Sequence, residues 1–160
     1  MSLLRVILYS ATAFFMLACN QNIVYEEHIS PPGNLEWKRD DAIKFDIDIV
    51  DTSIKYNEYI TFRHATGYAF SACSLRIAEK LPNGEELIHH LTLKTADSQG
   101  YLSDCSGDIC DLEELWREKW KFGMPGTYHY EISHEMTNDK VQMVMDVGMK
   151  LEMSKAAFVR

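Results

Sequence analysis

The chain has 160 residues, of which 24 are acidic and 16 are basic, giving a formal net charge of −8 at neutral pH. A negative charge of this size argues against nucleic-acid binding and against direct attraction to anionic lipid head groups. The length suits a single domain that can bury a sizeable hydrophobic core.

The first 18 residues have the pattern of a secretory signal peptide. Arg5 precedes an apolar run that ends at Ala18, and this run is shorter than the about 20 residues needed to span a bilayer. The residues Met16-Leu17-Ala18-Cys19 resemble a bacterial lipobox, although Met16 stands where leucine is usual. We therefore predict that residues 1–18 are removed and that Cys19 becomes the lipidated N-terminus. The alternative is an ordinary signal peptide followed by an incidental cysteine.

The rest of the chain divides into a tether, one domain and a tail. Residues 19–34 are predicted to form the lipidated N-terminus and tether, with an edge strand at 23–25. The segment 30–34 breaks this tether, because its two prolines lack an amide hydrogen and its glycine is flexible. Residues 35–153 form the predicted domain, and residues 154–160 form the tail.

Alternation of apolar and charged residues predicts most of the strands. The clearest case is 41–50, where isoleucine and phenylalanine alternate with lysine and aspartate. Such a period of two places the apolar set on one face of a strand. The segment Pro82-Asn83-Gly84 predicts a hairpin turn. Further strands are predicted at 35–37, 59–64, 70–81, 86–95, 119–122, 127–133 and 142–153.

The region before residue 119 is less regular. Residues 97–111 are polar, contain two glycines and predict a long loop. In the next stretch Leu112, Leu115 and Trp116 have helical spacing, and Asp111 could cap a helix. We predict one helical turn at 112–116, although a strand fits the later aromatic residues equally well. Seven to nine short strands with almost no helix predict an all-β fold, an antiparallel β-sandwich.

The cysteines suggest one local disulfide. Cys105 and Cys110 flank four residues that include Gly107, and exported proteins can keep disulfides. The spacing permits a bridge between them but leaves open that both are free. Cys73 would then be a free, buried thiol.

The residue patterns point to no catalytic or metal site. His89 and His90 are adjacent in a predicted strand, so their side chains face opposite sides and cannot share a metal. Asp104, Asp108 and Asp111 lack the glycine and the glutamate of a calcium loop. The sequence has no glycine-rich phosphate loop and no G-x-S-x-G motif. We expect no cofactor, no metal and no enzymatic activity.

Aromatic residues are the remaining candidates for a binding site. Trp116 and Trp120 lie beside the long polar region and are the first candidates for contact with a partner protein. Aromatic side chains in a sandwich more often supply core area, which is the alternative for both. The same two readings apply to Trp37, Tyr56, Tyr59, Tyr128 and Tyr130.

Several stretches taken together, in order and spacing, resemble one family. They are Asn22–Glu26, Trp37–Asp41, Asp51–Ser53, Tyr56–Ile60, Arg63–Ser71, Leu75–Ile77, Pro82–Gly84, Gly107–Ile109, Pro125–Tyr128, Glu131–Ile132, Glu135–Met136 and Asp146–Glu152. This set is similar to the gliding-motility lipoproteins of the GldH family, found in bacteria of the Bacteroidota type. The similarity covers nearly the whole chain after Cys19.

The resemblance implies a lipoprotein of the cell envelope, anchored through Cys19 to a membrane, with the outer membrane favoured. Its expected partners are other envelope proteins of the gliding apparatus and of the protein-secretion system that shares parts with it. The family has no established catalytic residues, so none are transferred. The alternative function is a carbohydrate-binding or carbohydrate-processing sandwich, which requires an exposed groove lined by aromatics and paired carboxylates.

Overall fold

The computed structural model describes residues 22–154, and every regular element in this range is a β-strand. Residues 22–154 therefore include no helix of the length and apolarity that a membrane span requires. The predicted leader, the lipobox with Cys19 and the tail beyond Ser154 lie outside the described residues.

Thirteen strands follow one another along the chain. They are β1 (Ile23–Ile29), β2 (Glu36–Lys38), β3 (Ile43–Ile49), β4 (Tyr56–Ala65), β5 (Ala72–Lys80), β6 (Glu86–Lys94), β7 (Ala96–Asp97), β8 (Gly100–Tyr101), β9 (Asp104–Ser106), β10 (Ile109–Trp120), β11 (Gly126–His134), β12 (Lys140–Gln142) and β13 (Val144–Met153).

Two antiparallel sheets form the body of the domain. The first has the strand order β1-β13-β4-β10-β9, and the second has the order β3-β11-β5-β6. Two small ribbons, β12 with β2 and β7 with β8, complete the fold. Inward side chains of both main sheets share one hydrophobic core, so the predicted all-β sandwich is confirmed.

Strict alternation on β3 shows why the sequence forms this core. Ile43, Phe45, Ile47 and Ile49 are at most 4% exposed, whereas the charged residues between them face solvent. Burying each such side chain contributes about 1.5–3 kcal/mol. The predicted strand at 41–50 is therefore confirmed almost to its ends.

The predicted helical turn at 112–116 is wrong, because these residues lie within β10. Leu112 pairs with Phe62 of β4, and the ladder has irregularities between Leu115 and Arg117 and between Arg117 and Trp120. Each bulge adds one residue and shifts the alternation of faces. Before the first bulge the strand alternates regularly, with Leu112 inward and Leu115 41% exposed, so the helix-like spacing comes from an apolar residue on the solvent face.

The predicted long loop at 97–111 is also wrong. Residues 97–111 instead contain most of the β7–β8 ribbon and a tight hairpin in which β9 pairs with the start of β10. Gly107, with φ of 61°, makes the turn of that hairpin. Cys105 lies directly opposite Cys110 and is disulfide-bonded to it, whereas Cys73 is free and buried.

The last predicted strand, 142–153, is interrupted at Met143. This residue has φ of 66° and separates β12 from β13. At the other terminus, β1 is longer than the predicted edge strand and pairs with β13 along its whole length. The edge strand predicted at 23–25 therefore runs on to Ile29, through residues predicted as tether, and forms the edge of the five-stranded sheet.

The strand directions give the sandwich two distinct ends. At the end called proximal here, the Met153 amide donates to the Asn22 carbonyl at 2.8 Å and the Ser154 amide to the Lys55 carbonyl at 2.7 Å, while Trp120 pairs with Tyr56. The proximal end comprises Asn22, loop 50–55, the hairpin turn 81–85 and residues 119–125. The opposite, distal end comprises Leu35, residues 65–67, the region 96–109 and Met143.

Candidate functional site

A cluster of charged side chains lies in the interior between the two sheets. Glu58 on β4 and Arg117 on β10 come from the first sheet, and Glu79 on β5 comes from the second. Tyr130 on β11 and His89 on β6 complete it. Glu58, Glu79 and Tyr130 occupy inward positions of their strands and are at most 2% exposed.

The guanidinium of Arg117 joins the two carboxylates. Its Nη1 donates to Glu58 Oε2 at 3.0 Å and to Glu79 Oε1 at 3.2 Å, and its Nη2 donates to Glu79 Oε2. The Tyr130 hydroxyl lies 3.3 Å from Glu58 Oε1 and 3.1 Å from Glu79 Oε1. His89 Nε2 is 2.9 Å from Glu79 Oε2. One arginine therefore links the sheets through two glutamates.

The bulge between Leu115 and Arg117 explains how β10 supplies both an aromatic and a cation to this place. Because of the irregular register, the consecutive residues Trp116 and Arg117 are both half-buried. The Arg117 guanidinium lies 3.9 Å from the centre of the Trp116 ring and 4.6 Å from that of the Trp120 ring. Contacts of this kind stabilise a cation by about 0.5–2 kcal/mol.

The two glutamates have different electrostatic surroundings. Burial raises the pKa of Glu58 to about 7, although the charge of Arg117 opposes this rise. Burial also acts to raise the pKa of Glu79, but hydrogen bonds and charge from Arg117, with further bonds from His89 and Tyr130, hold it below its ordinary value. Glu79 is therefore the firmly ionised partner of Arg117, and Glu58 is the carboxyl that can take up a proton near neutral pH.

Chemically, the cluster acts as an electrostatic link between the sheets. Glycoside hydrolysis uses two carboxylates that flank a substrate in an open cleft. Here the side chains of Glu58 and Glu79 are 0% and 3% exposed, and Arg117 occupies the space between them. This arrangement lacks the access that the carbohydrate-processing alternative requires.

The structure separates the two tryptophans predicted as partner-binding residues. Trp116 is half-buried and contacts the rings of His89 and Tyr130 edge-on, at centroid distances of 5.4 and 6.2 Å. Trp120 is 41% exposed, at the end of β10. Of the other candidate aromatics, Trp37, Tyr56, Tyr128 and Tyr130 are buried in the core, and Tyr59 contacts Lys150.

The histidines and aspartates considered as metal ligands make contacts with other side chains instead. His89 faces the interior, whereas the neighbouring His90 contacts Glu135 at 2.6 Å, so the two face opposite sides as predicted. Asp111 pairs with Arg63 at 2.6 Å. Among residues 22–154, no set of three or more His, Cys, Asp or Glu side chains is placed to hold a metal ion.

Sequence reasoning missed the charged cluster, although its signal was present. Glu58 follows Tyr56 and precedes Ile60 on one face of β4, and Glu79 continues the inward face of Ile77 on β5. A glutamate at an inward position needs either a buried cation or a proton. Arg117 could not be found in this way, because the bulge places it out of phase with its own strand.

Fold and site together define the class: an all-β sandwich domain, preceded in the sequence by a predicted lipobox, whose two sheets are joined by a buried ion-paired cluster. The family model of the GldH lipoproteins matches residues 23–151. The chain therefore belongs to the GldH lipoprotein family.

Two relatives extend this match over nearly the full length. The chain is 25% identical to the gliding motility lipoprotein GldH homolog of Christiangramia forsetii, over 96% of this chain and 98% of the relative. It is 24% identical to gliding motility lipoprotein GldH of Flavobacterium johnsoniae, over 88% of this chain and 91% of the relative. Family membership makes the chain a motility-related lipoprotein, anchored to a membrane of the cell envelope.

Proposed function

We propose that the protein is a non-enzymatic accessory of the gliding-motility machinery and its associated secretion system, and that it binds another envelope protein through its distal end. The observation that carries this proposal is a concentration of exposed apolar side chains at that end. They are Leu35, Tyr101, Leu102, Ile109 and Met143, each 37–48% exposed.

Backbone contacts bring most of these residues together around residues 65–67. Ala65 pairs with Ile109, and its amide donates to the Met143 carbonyl at 2.9 Å. The Gly67 amide donates to the Tyr101 hydroxyl at 2.9 Å. The Met143 amide in turn donates to the Leu35 carbonyl at 2.7 Å. The exposed residues therefore lie together at the distal end of the sandwich and are not scattered.

Two of these residues are held in an unfavourable backbone conformation. Leu35 has φ of 54° and Met143 has φ of 66°, a region that costs a bulky residue about 1–3 kcal/mol. The hydrogen bond between them and the pairing of β2 with β12 hold both in place. Their side chains are thus kept at the surface at some cost to stability, which supports a role in contact with a partner.

Charge indicates what kind of partner fits. The region 96–111 contains four aspartates and neither lysine nor arginine. The aspartates lie around Tyr101, Leu102 and Ile109, whereas the β2–β12 ribbon beside Leu35 and Met143 carries Lys38 and Lys140. Around Tyr101, Leu102 and Ile109, apolar side chains among aspartates suit a basic protein surface that offers its own apolar side chain, and such complementarity speeds association. The distal end also points away from Asn22, and hence away from the predicted anchor at Cys19, so a partner can reach it. We therefore place the partner surface there and not at Trp116 and Trp120.

Crosslinking in intact envelopes tests this proposal. Leu102→Ser and Ile109→Ser should each reduce crosslinks to the partner and leave the fold intact, because exposed side chains contribute little to stability. Ile88→Ser is the matched control, since Ile88 is 42% exposed and lies on β6, away from both ends of the sandwich. Mapped crosslinks that lie on other surfaces and persist in both distal variants would refute the distal site.

A further inference from the structure

The position of the chain's first described residue fixes where a lipid anchor can lie. Asn22 is held at the proximal end, where its carbonyl accepts the Met153 amide at 2.8 Å. Cys19 precedes it by three positions, which span at most about 10 Å of fully extended chain. Strand β13 alone is about 33 Å long at the usual rise per residue. An anchor on Cys19 therefore holds the proximal end beside the membrane surface, and further contacts must set the orientation of the domain.

The proximal end exposes an apolar surface of its own. Val50 is 88% exposed, more than any other large hydrophobic residue among those described, and Trp120 is 41% exposed. Loop 50–55 crosses this end from β3 to β4, where Tyr56 pairs with Trp120. Val50 and Trp120 therefore lie at the two sides of the face that the anchor holds towards the membrane.

Basic residues surround the exposed tryptophan. Lys119 and Lys121 flank Trp120 in sequence, and both are exposed. Lys55 lies at the same end, where its carbonyl accepts the Ser154 amide. A tryptophan bordered by lysines is typical of side chains at the membrane–water interface, where the ring lies among the head groups and the ammonium groups remain hydrated.

The carboxylates beside Trp120 and loop 50–55 have partners within the protein. Glu118 contacts Lys119 at 2.9 Å, and Glu152 contacts Lys150 at 3.3 Å. Asp51 accepts hydrogen bonds from the amide and hydroxyl of Ser53, at 2.7 and 2.6 Å. The hairpin turn 81–85 at the same end, with the residue that follows it, adds the exposed Glu85 and Glu86. Contact of this end with a membrane therefore depends on its apolar side chains and on the lysines that border them, and not on a net positive charge.

From these observations we propose that the proximal end rests on the membrane that carries the anchor, with Val50 and Trp120 in contact with lipid. The lipid anchor supplies the attachment, and the proximal end supplies the orientation. The domain then stands with its strands directed away from the membrane and its distal end projecting outwards. This inference depends on lipidation of Cys19 and does not depend on the distal partner site.

Site-directed fluorescence tests the orientation, because residues 22–154 offer no competing surface thiol and lipidation occupies the sulfur of Cys19. Cys73 is buried and Cys105 is bonded to Cys110, so a cysteine introduced on the surface is labelled selectively. Val50→Cys and the distal Leu102→Cys would each carry a dye on the full-length, lipidated protein in phosphatidylethanolamine vesicles. Nitroxide lipids labelled near the head group should quench the dye at position 50 strongly and the dye at position 102 little.

Tryptophan emission gives a second, label-free readout. The same nitroxide lipids should quench part of the tryptophan emission of the lipidated protein, and Trp120→Phe should abolish that part, because Trp37 is fully buried and Trp116 is half-buried. Equal quenching at positions 50 and 102 would overturn the proposal. Shielding of position 50 that occurs in native envelopes but not in vesicles would assign the proximal end to a protein partner and overturn it as well.

Discussion

At the residue scale, Arg117 is the residue on which the pairing of the buried carboxylates depends. It is 10% exposed and pairs with the two buried glutamates Glu58 and Glu79. Replacing buried ion pairs by apolar residues can be neutral, but removing one partner leaves an uncompensated charge in the interior. The cluster is therefore a place where single substitutions have large effects.

Arg117→Met should destabilise the domain by about 3–5 kcal/mol at pH 7, because it leaves both carboxylates without their cation. Urea unfolding followed by circular dichroism measures this change. Arg63→Met is the matched control, since Arg63 pairs with Asp111 at 2.6 Å but is 41% exposed, and loss of such a pair costs about 0–1 kcal/mol. Equal effects of both substitutions would show that the cluster is not an electrostatic link.

Glu58 should make stability depend on pH. Its pKa rises from 4.5 in the unfolded chain to about 7 in the fold, so the folded protein keeps a proton that the unfolded chain releases. This contribution is present below pH 4.5 and is lost as the pH rises through 7. In Glu58→Gln the free energy of unfolding should therefore fall less between pH 5 and pH 8, by up to about 3 kcal/mol.

The measurement is a series of urea unfolding curves across that pH range. The exposed Glu86→Gln serves as control and should leave the slope of stability against pH unchanged. If Glu58→Gln follows the wild-type slope, Glu58 is ionised throughout and our assignment of the proton is wrong.

At the scale of the elements, the pairing of β1, β13 and β4 depends on a glycine. Gly148 lies between His28 of β1 and Thr61 of β4, whose side chains meet at 3.1 Å across it. A Cβ at position 148 would lie 2.3 Å from Thr61 Oγ1 and 2.6 Å from the Glu27 carbonyl oxygen. Backbone on one side and a packed side chain on the other leave no room for a methyl group.

Gly148→Ala should therefore destabilise the domain by about 1–3 kcal/mol, the usual cost of overpacking. Thermal unfolding measures the loss, and hydrogen exchange should show weakened protection in β1. Gly123→Ala is the control, because a Cβ there would meet nothing within 4 Å. A variant at position 148 as stable as this control would contradict the argument from close contact.

The disulfide stabilises the β9–β10 hairpin locally. Strand β9 forms only three residue pairs with β10, and all three of its residues are exposed. Replacing both Cys105 and Cys110 by serine should cost about 2 kcal/mol for so short a loop. Hydrogen exchange should show the loss of protection confined to this hairpin, and reduction of the wild type should reproduce it. Loss of protection throughout the first sheet would contradict a local role.

At the scale of the whole molecule, attachment to the membrane should depend on one residue outside the described part of the chain. Cys19→Ser should abolish labelling with an alkyne fatty acid and release the domain from the membrane fraction. Each buried methylene of an acyl chain contributes about 0.8 kcal/mol, so two or more chains hold the protein stably. Continued acyl labelling of the serine variant would falsify the lipobox assignment.

Attachment at one end and two sheets joined in the interior would together let the domain act as a spacer between the membrane and its distal end. The buried cluster and the shared core make the two sheets one unit. Such a unit can present its distal end at a fixed distance from the membrane, about the length of its strands. The proposed partner surface and the proposed membrane surface lie at opposite ends, so both can be occupied at once.

The sequence by itself determined the fold class and most of the strands. Alternation is strict in β3 and interrupted in β5 and β13, where consecutive residues are buried, and a strict pattern has one structural solution when a single face is buried. The sequence also determined the hairpin at Asn83-Gly84 and the candidate disulfide, because both depend on neighbouring residues. The resemblance to the GldH family arose from short stretches in order, and the family match confirms it.

Only the tertiary structure decided the parts that depend on distant neighbours. Leu112 and Trp116 lie on the inward face of β10 and Leu115 is exposed on the other face, so their spacing was misread as a helix. The bulges that follow Leu115 arise from pairing with β4. The Glu58–Arg117–Glu79 cluster joins strands from two sheets, and no local pattern reveals which cation reaches which carboxylate. The two ends likewise exist only once antiparallel strands are packed, because exposure is a property of the folded surface and not of the residue.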